Sequence, residues 1–388
     1  MNGVDGVKPS AGDRYFRRLW EGIEQSFRLQ SVLVPLYALV MAVVVGGILI
    51  SIVGINPFKA YWWLLRGMFG DGDRIAGSIA RSVPFIGSAL ALAFAFRAGL
   101  FNIGAEGQLL AGGVTAAWVG TWGITNDLPA VLAIPLVMIA GMLGGGFWGG
   151  VPGVLRAKTG AHEVISTIML NSVALFYIRW MVNSRDPVVL RDLSSTVPRT
   201  EAIADSAELP EFVDSQPNLH LGLLIMILAC VVLWVVMNRT TFGFEVRTVG
   251  TNPHAASYAG IGVDRIIILS MVISGAMAGL AATSEVAGTN GFFQPGTFAA
   301  MGFDGIAIAL LARANPLAII PAALLWGSML NGAPLMQQEA DVSIDIVRII
   351  QAMVLLFVAA DAIVRFVFRL KSAQPGSLGG PAATGWGK

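Results

Sequence analysis

Runs of about twenty apolar residues recur from one end of this chain to the other, at 32–54, 76–96, 104–123, 129–150, 164–182, 219–237, 266–287, 299–311, 317–332 and 346–367. A helix rising 1.5 Å per residue needs about 20 residues to cross the ~30 Å of hydrocarbon in a bilayer. Inside that layer only a helix or a closed barrel satisfies its own backbone. The ten windows therefore predict an all-α polytopic membrane protein of about ten transmembrane helices, the eighth and ninth being short and interrupted. With 55% hydrophobic and only 13% charged residues, a soluble fold of this size could not hide the apolar surface. The first window follows a polar segment bearing Lys8, Arg14, Arg17, Arg18 and Arg28. It is longer than a signal-peptide core and has no small-residue cleavage site behind it, so an uncleaved first span is expected.

Lysine and arginine alternate between connections as the positive-inside rule requires. With the N-terminus inside, the inner connections carry Arg97, then Arg156 and Lys158, then Arg239, Arg247 and Arg265, then Arg313, and finally Arg365, Arg369 and Lys371, while 124–128, 288–298 and 333–345 carry none. Both termini are expected in the cytoplasm, with a cytoplasmic segment 1–31, a membrane region 32–370 and a disordered Gly/Ala/Pro-rich tail 371–388. Two outer stretches depart from the rule. Residues 55–75 carry Lys59, Arg66 and Arg74, and within them Phe58 to Phe69 mixes Trp62, Trp63 and Phe69 with Lys59 and Arg66, as suits a helix lying in the interface. The stretch 183–218 holds three arginines against seven acids and reads as an external excursion that rests on something.

A net charge of +1 leaves no basic footprint for nucleic acid. One cysteine and three scattered histidines form no disulfide framework or metal spacing. No phosphate-cradling loop with its Lys and Ser/Thr, no Gly-x-Ser-x-Gly and no His-Glu-x-x-His is present, so the chain is not expected to hydrolyse ATP or to be an enzyme.

Gly141, Gly145, Gly149 and Gly153 recur every four residues, leaving one helix face bare for a close neighbour. Gly104-Ala-Glu106-Gly107 is echoed by Gly302-Phe-Asp304-Gly305, and Pro135 and Gly141 by Pro321 and Gly327. Five spans separate the copies, so one is upside down relative to the other, as in inverted-repeat transporters whose broken helices meet near the midplane. Ionisable groups in spans are costly and mark candidate sites. Glu106 and Asp304 each lie in a first helical turn, where capping and substrate contact are both open readings. Glu285 is followed by Asn290, Phe292, Phe293 and Gln294, groups able to stack on and hydrogen-bond a polar ring. Two inner connections suit docking of another protein: one holds His162 and Glu163, the other Pro253, His254, Ala255, Ala256, Tyr258 and Gly260.

The run His254-Ala-Ala-x-x-x-Gly260 resembles the Glu-Ala-Ala-x-x-x-Gly loop of ATP-binding-cassette (ABC) importer permeases, with His254 in place of the glutamate. Phe101-Asn-Ile-Gly-Ala-Glu-Gly-Gln108, Gly160-Ala-His-Glu-Val-Ile-Ser-Thr-Ile-Met-Leu-Asn171 and Gly302-Phe-Asp-Gly-Ile-Ala-Ile-Ala-Leu-Leu311 look like signature stretches of the nucleoside and simple-sugar branch. The chain is most similar to the larger of two paired nucleoside permeases. The resemblance implies a type II ABC importer-like fold in a bacterial inner membrane, half of a nucleoside pathway, and a second, non-identical permease. It also implies an ABC ATPase that holds ATP and Mg, and an external substrate-binding lipoprotein. Phe101, Asn102, Glu106, Gln108, Asn171, Glu285, Phe292, Phe293, Gln294 and Asp304 are the pathway candidates, a set without a basic residue. His162, Glu163, Pro253, His254, Ala255, Ala256 and Gly260 are the coupling candidates. A simple-sugar permease and an ion-coupled secondary transporter are the alternatives.

Overall fold

The computed structural model describes residues 29–360 apart from 214 and 216. The expectations for the basic N-terminal segment up to residue 28 and for the C-terminal tail lie outside the described residues. Helices α1 (Leu29–Ile52), α2 (Pro57–Phe69), α3 (Gly72–Arg97), α4 (Ala105–Gly120), α5 (Gly123–Asp127), α6 (Ala130–Thr159) and α7 (Glu163–Asn183) lead to a small antiparallel hairpin, β1 (Glu211–Val213) and β2 (Leu219–His220). Then follow α8 (Gly222–Arg239), α9 (Thr241–Thr251), α10 (Pro253–Tyr258), α11 (Val263–Glu285), α12 (Met301–Leu311), α13 (Pro316–Ala340) and α14 (Asp345–Ala359).

Each apolar window holds a helix, and among the described residues seven helices are long and apolar enough to cross a membrane: α1, α3, α6, α7, α8, α11 and α13. The chain is a multi-pass membrane protein. α4 and α12, with 16 and 11 residues, reach only about 24 and 17 Å at 1.5 Å per residue. α13 runs to Ala340, beyond the expected end at 332, and takes up half of the connection expected over 333–345. Its polar positions find partners: Asn331 donates to the Arg74 carbonyl and to Ser78 Oγ, both at 3.2 Å.

The two short helices are built alike. α3 ends at Gly99, whose φ of 72° lets the chain turn, and a non-helical stretch leads into α4. α11 passes through a π-helical turn, Val286–Asn290, ends at Gly291 with φ 69°, and a non-helical stretch leads into α12. α12 begins beside the middle of α3, where Ser88 Oγ donates to the Met301 carbonyl, and ends at the tail of α3, where Arg97 Nε donates to the Ala314 carbonyl. α4 starts against the head of α12 and runs the opposite way, to Gly120, whose carbonyl accepts from Ala204 N. Packing repeats crosswise: α6 and α4 lie on α11, while α13 and α12 lie on α3. This is the inverted repeat expected from Glu106 and Asp304.

The glycine face of α6 is where α11 comes closest. A methyl group at Gly149 would sit 2.5 Å from the Met271 carbonyl oxygen, and one at Gly153 2.9 Å from Met271 Cβ. Gly112 of α4 joins the crossing, 3.0 Å in the same sense from the Gly141 carbonyl oxygen. In the other repeat, a methyl at Gly327 of α13 would lie 2.7 Å from Ser82 Cα of α3. The Pro–Gly echo is thus a packing repeat. Without a hydrophobic drive between helices in lipid, such close approach supplies the association energy.

The excursion from 184 to 221 lies across the ends of α4 and α11. Thr200, Ile203 and Leu209 donate backbone hydrogen bonds to Phe293, Gly291 and Ala287 at 3.0, 2.8 and 2.7 Å, and its Ile203, Ala204, Ala207 and Leu209 are buried. His220 of β2 is also buried. Its Nδ1 accepts from Gly222 N at 3.1 Å, and Nε2 faces Thr289 Oγ1 at 3.4 Å. Burial pulls its pKa from 6.5 down to about 4 against the opposing charge of Glu211.

Gly145→Leu is expected to lower yield and melting temperature in detergent, by the ~1–3 kcal/mol or more that overpacking costs. Gly123→Ala, whose methyl meets nothing within 4 Å, should leave both unchanged. Equal melting of the two variants would contradict the close helix approach. The neutral His220 stabilises the fold fully above about pH 6.5, where the unfolded histidine is also neutral. As pH falls towards 4 the unfolded state protonates first, and up to about 3 kcal/mol is lost. Melting curves between pH 7.5 and 5 should show this loss in the wild type and much less of it in His220→Gln.

Candidate functional site at the junction of two broken helices

Unwound backbone at membrane depth must find partners inside the protein. Around 98–104 they come from three of the expected pathway residues. Asn102 is fully buried; its Oδ1 accepts from Gly104 N at 2.8 Å and from Gln108 Nε2 at 3.2 Å. Its Nδ2 donates to Gln108 Oε1 at 3.0 Å and to Ser274 Oγ at 2.9 Å, and Ser274 in turn donates to the Ala91 carbonyl. Asn171 of α7 spans the break, accepting from Gly107 N and donating to the Ile103 carbonyl, both at 2.8 Å. Thr167, absent from the sequence-derived set, accepts from Ile103 N at 3.3 Å. Asn102, Gln108 and Asn171 thus direct their amides to the break itself.

Glu106 does not cap its own helix. Its carboxylate reaches the head of the repeat-related helix, with Oε1 accepting from Ala300 N and Oε2 from Gly302 N, each at 2.9 Å. A negative charge there meets the positive end of the α12 dipole and two otherwise unsatisfied N–H groups. Ala300 adopts a left-handed φ of 68° to present its N–H. Asp304, one turn into α12, lies beside the Trp326 indole and within the field of Arg348, although the indole nitrogen forms no full hydrogen bond. Glu285 takes weak bonds from Thr289 and Asn290 at 3.4 and 3.5 Å and lies near Arg81 of α3. The candidate set without a base therefore needs correction. Arg81 and Arg348 are exposed on α3 and α14, close to two of its acids. Both sit inside apolar windows, where a lone arginine is itself a signal.

The aromatic candidates do not converge. Phe293 is fully buried, packed on Phe298 with ring centroids 5.9 Å apart, and its backbone pairs with Thr200. It anchors the excursion and offers no face to a ligand. Phe292 lies under the Arg199 guanidinium at 4.6 Å, Phe101 stacks on Phe96 at 5.1 Å, and the half-buried Gln294 accepts from Thr297 N through its carbonyl. Among the described residues no group of three His, Cys, Asp or Glu could hold a metal.

At the opposite face, α10 forms a short projecting element. Asn252 Oδ1 accepts from Ala255 N at 3.0 Å, Pro253 occupies the first turn, and Gly260 with φ 81° ends the segment. Pro253, His254, Ala255 and Gly260 are exposed, and Tyr258 is 95% exposed. Ala256 is fully buried against the chain's own core, so it seats the helix and presents nothing outward. His162 is exposed at the cap of α7, whereas Glu163 is buried and ion-paired with Arg156 Nε at 3.3 Å. Lys158 and Asp264, 3.1 Å apart, tie α6 to the start of α11.

Glu106→Gln keeps an acceptor but loses the charge, and is expected to cost about 1.5–3 kcal/mol of stability, the range for a charged hydrogen bond. Asp304→Asn should cost less than half of that. Thermal melting of the two purified variants checks the order, and the reverse order would remove Glu106 from its place as the link between the repeats.

Comparison with known proteins agrees with this geometry. The family model described as branched-chain amino acid transport system / permease component matches residues 74–359. A guanosine ABC transporter permease protein, NupP of Bacillus subtilis (strain 168), is 41% identical over 345 residues, covering 88% of this chain and 96% of its own. A nucleoside ABC transporter permease protein, NupB of Lactococcus lactis subsp. cremoris (strain MG1363), is 38% identical over 344 residues, 87% and 93% of the two chains. A glucose ABC transporter permease protein, TsgB13 of Haloferax volcanii, is 33% identical over 332 residues, 83% and 86%. The same B. subtilis and L. lactis strains each hold a second, more distant relative, NupQ at 24% and NupC at 26% identity, which suggests a second permease as partner. No solved structure matches the chain. The match over 74–359, on a fold of two inverted repeats joined through Glu106, places the chain in the family of branched-chain amino acid transport system permease components.

Proposed function

We propose that this chain is a transmembrane subunit of an ATP-driven ABC importer and forms half of a translocation pathway for nucleosides. The observation that carries the reading is the similarity to NupP and NupB along nearly their whole lengths. It is higher than the similarity to the glucose permease, which keeps a sugar as the second reading. In this proposal the face bearing α10 is cytoplasmic, as are both termini, and the excursion faces outward towards a substrate-binding lipoprotein. A non-identical permease supplies the other half of the path. An ABC ATPase, holding ATP and Mg, receives α10 and the loop of His162 as its contacts.

The geometry supports a mechanical role for α10. A helix of six residues, capped by Asn252 and seated by Ala256, is held between α9 and α11 and leaves Tyr258 and His254 exposed. Closure of an ATPase beneath it would push on the start of α11, and α11 carries the contacts to α6, α4 and α3 that define the repeats. Force applied at α10 would thus reach the junction held by Glu106.

The assembled complex is expected to take up radiolabelled uridine or adenosine only with ATP, and excess unlabelled nucleosides should block this uptake. Ribose, glucose and nucleoside monophosphates should compete hardly at all. Competition by glucose equal to that of nucleosides would transfer the chain to the sugar reading, and uptake driven by an ion gradient without ATP would overturn the importer. Tyr258→Ala should leave melting unchanged yet reduce substrate-stimulated ATP hydrolysis about tenfold or more, as loss of an interface anchor does. Ala256→Arg, by contrast, should disturb the fold itself.

A further inference from the structure

Two arginines lie near one another where α3 ends, and neither has an ion-pair partner among the described residues. Arg97 is the last residue of α3 and Arg247 lies on α9. Their helices touch through glycine: a methyl at Gly250 would lie 2.8 Å from Gly99 N, and one at Gly99 2.9 Å from Gly250 Cα. Arg247 is three residues before Gly250 and therefore on the same face of α9, turned towards the end of α3. The Arg247 charge is felt at Arg97. Arg97 uses Nε on the Ala314 carbonyl at 3.0 Å. Arg247 Nη1 is sealed from solvent and has no hydrogen-bond partner. The ion pairs among the described residues include neither arginine. Glu245 is two positions from Arg247, on a different side of α9.

Like charges held together and a donor left orphaned both cost energy unless an anion joins them. The surroundings indicate which anion. Arg97 closes the apolar span α3, and Arg247 lies two turns into α9, which follows the span α8 directly through its cap Thr240, so both arginines stand just beyond the apolar part of a span. One turn before Arg97, Phe94 stacks on Phe242 with centroids 6.4 Å apart, forming an apolar floor, and Phe244, one turn before Arg247 on the same face of α9, is 58% exposed. Basic pockets between spans at this depth match phosphate groups of lipids, and arginine suits paired phosphate oxygens.

We infer that Arg97 and Arg247 form a binding site for a phosphate-bearing anion at the membrane surface, filled by the headgroup of an anionic phospholipid whose chains lie along Phe244. The site fastens α9, and through it α10, to the end of α3. It does not depend on the identity of the transported substrate.

The test compares the importer, assembled with its partner subunits, in nanodiscs of phosphatidylcholine alone and with one third phosphatidylglycerol. The wild type should melt about 3–5 °C higher with phosphatidylglycerol, as binding to the native state requires. It should also retain phosphatidylglycerol in native mass spectra, a measurement that does not depend on any variant folding. Arg247→Gln and Arg97→Gln should lose the rise, Arg247→Lys should recover part of it, and Lys59→Gln, an exposed lysine at the other face, should keep it. If millimolar inorganic phosphate gives the same rise in phosphatidylcholine discs, the phosphate chemistry stands and free phosphate is its source. Equal melting in both lipids with no retained phosphatidylglycerol would overturn the site. So would variants that lose the ATPase equally in both lipids, since a partner's carboxylate would then be the anion. Failure of nucleoside uptake in the wild type would count against the proposed substrate and leave these outcomes readable.

Discussion

Hydrogen bonding of broken backbone within the membrane is the constraint on which the rest of this structure depends. The chain leaves helical geometry twice at depth, before α4 and before α12, and each break strands N–H and C=O groups that lipid cannot satisfy. At the first break Asn102, Asn171 and Thr167 supply the missing partners, and Gln108 holds the Asn102 amide in place. At the second, the carboxylate of Glu106 does so from the opposite repeat. The breaks are thus satisfied by side chains of α4, of α7 and of the first break itself, and the repeats cannot part without exposing the head of α12.

Close packing by glycine makes this arrangement rigid. Gly112, Gly141 and Gly279 meet where α4, α6 and α11 cross, and Gly327 brings α13 onto Ser82 of α3. Because backbones touch there, a displacement of α11 has no soft side chains in which to dissipate. In the proposed importer, a push at α10, which precedes α11 by a few residues, would therefore be transmitted along the central helix to the junction. Ala256 is buried and seats α10, while Tyr258 is exposed and would make the contact.

Much of the architecture is legible without coordinates, because hydropathy and glycine spacing are local and lipid imposes one answer on them. The apolar windows, a helix at Phe58 to Phe69 and the bare face of α6 follow from runs and periods alone. The echo of Glu106 by Asp304 announces two related helices of opposite sense. Boundaries suffer where polarity and helicity disagree. α13 continues past 332 to Ala340, and Ala333, Met336 and Ala340 of its added turns are buried against the rest of the fold, a packing no local window contains.

The sequence by itself determined that this chain spans a membrane, that it repeats in opposite senses, and that a short capped segment near Pro253 faces away from the core. Only the tertiary structure decided what its polar residues do. Asn102, Gln108, Asn171 and Phe293 look available for a ligand in the linear chain, and folding commits them to backbone and core. Arg97 and Arg247 are unremarkable inner charges until Gly99 meets Gly250. The physical reason is range: apolar period acts over one or two helical turns, whereas a carboxylate, an amide or a guanidinium acquires its role from whichever distant segment is brought within about 3 Å.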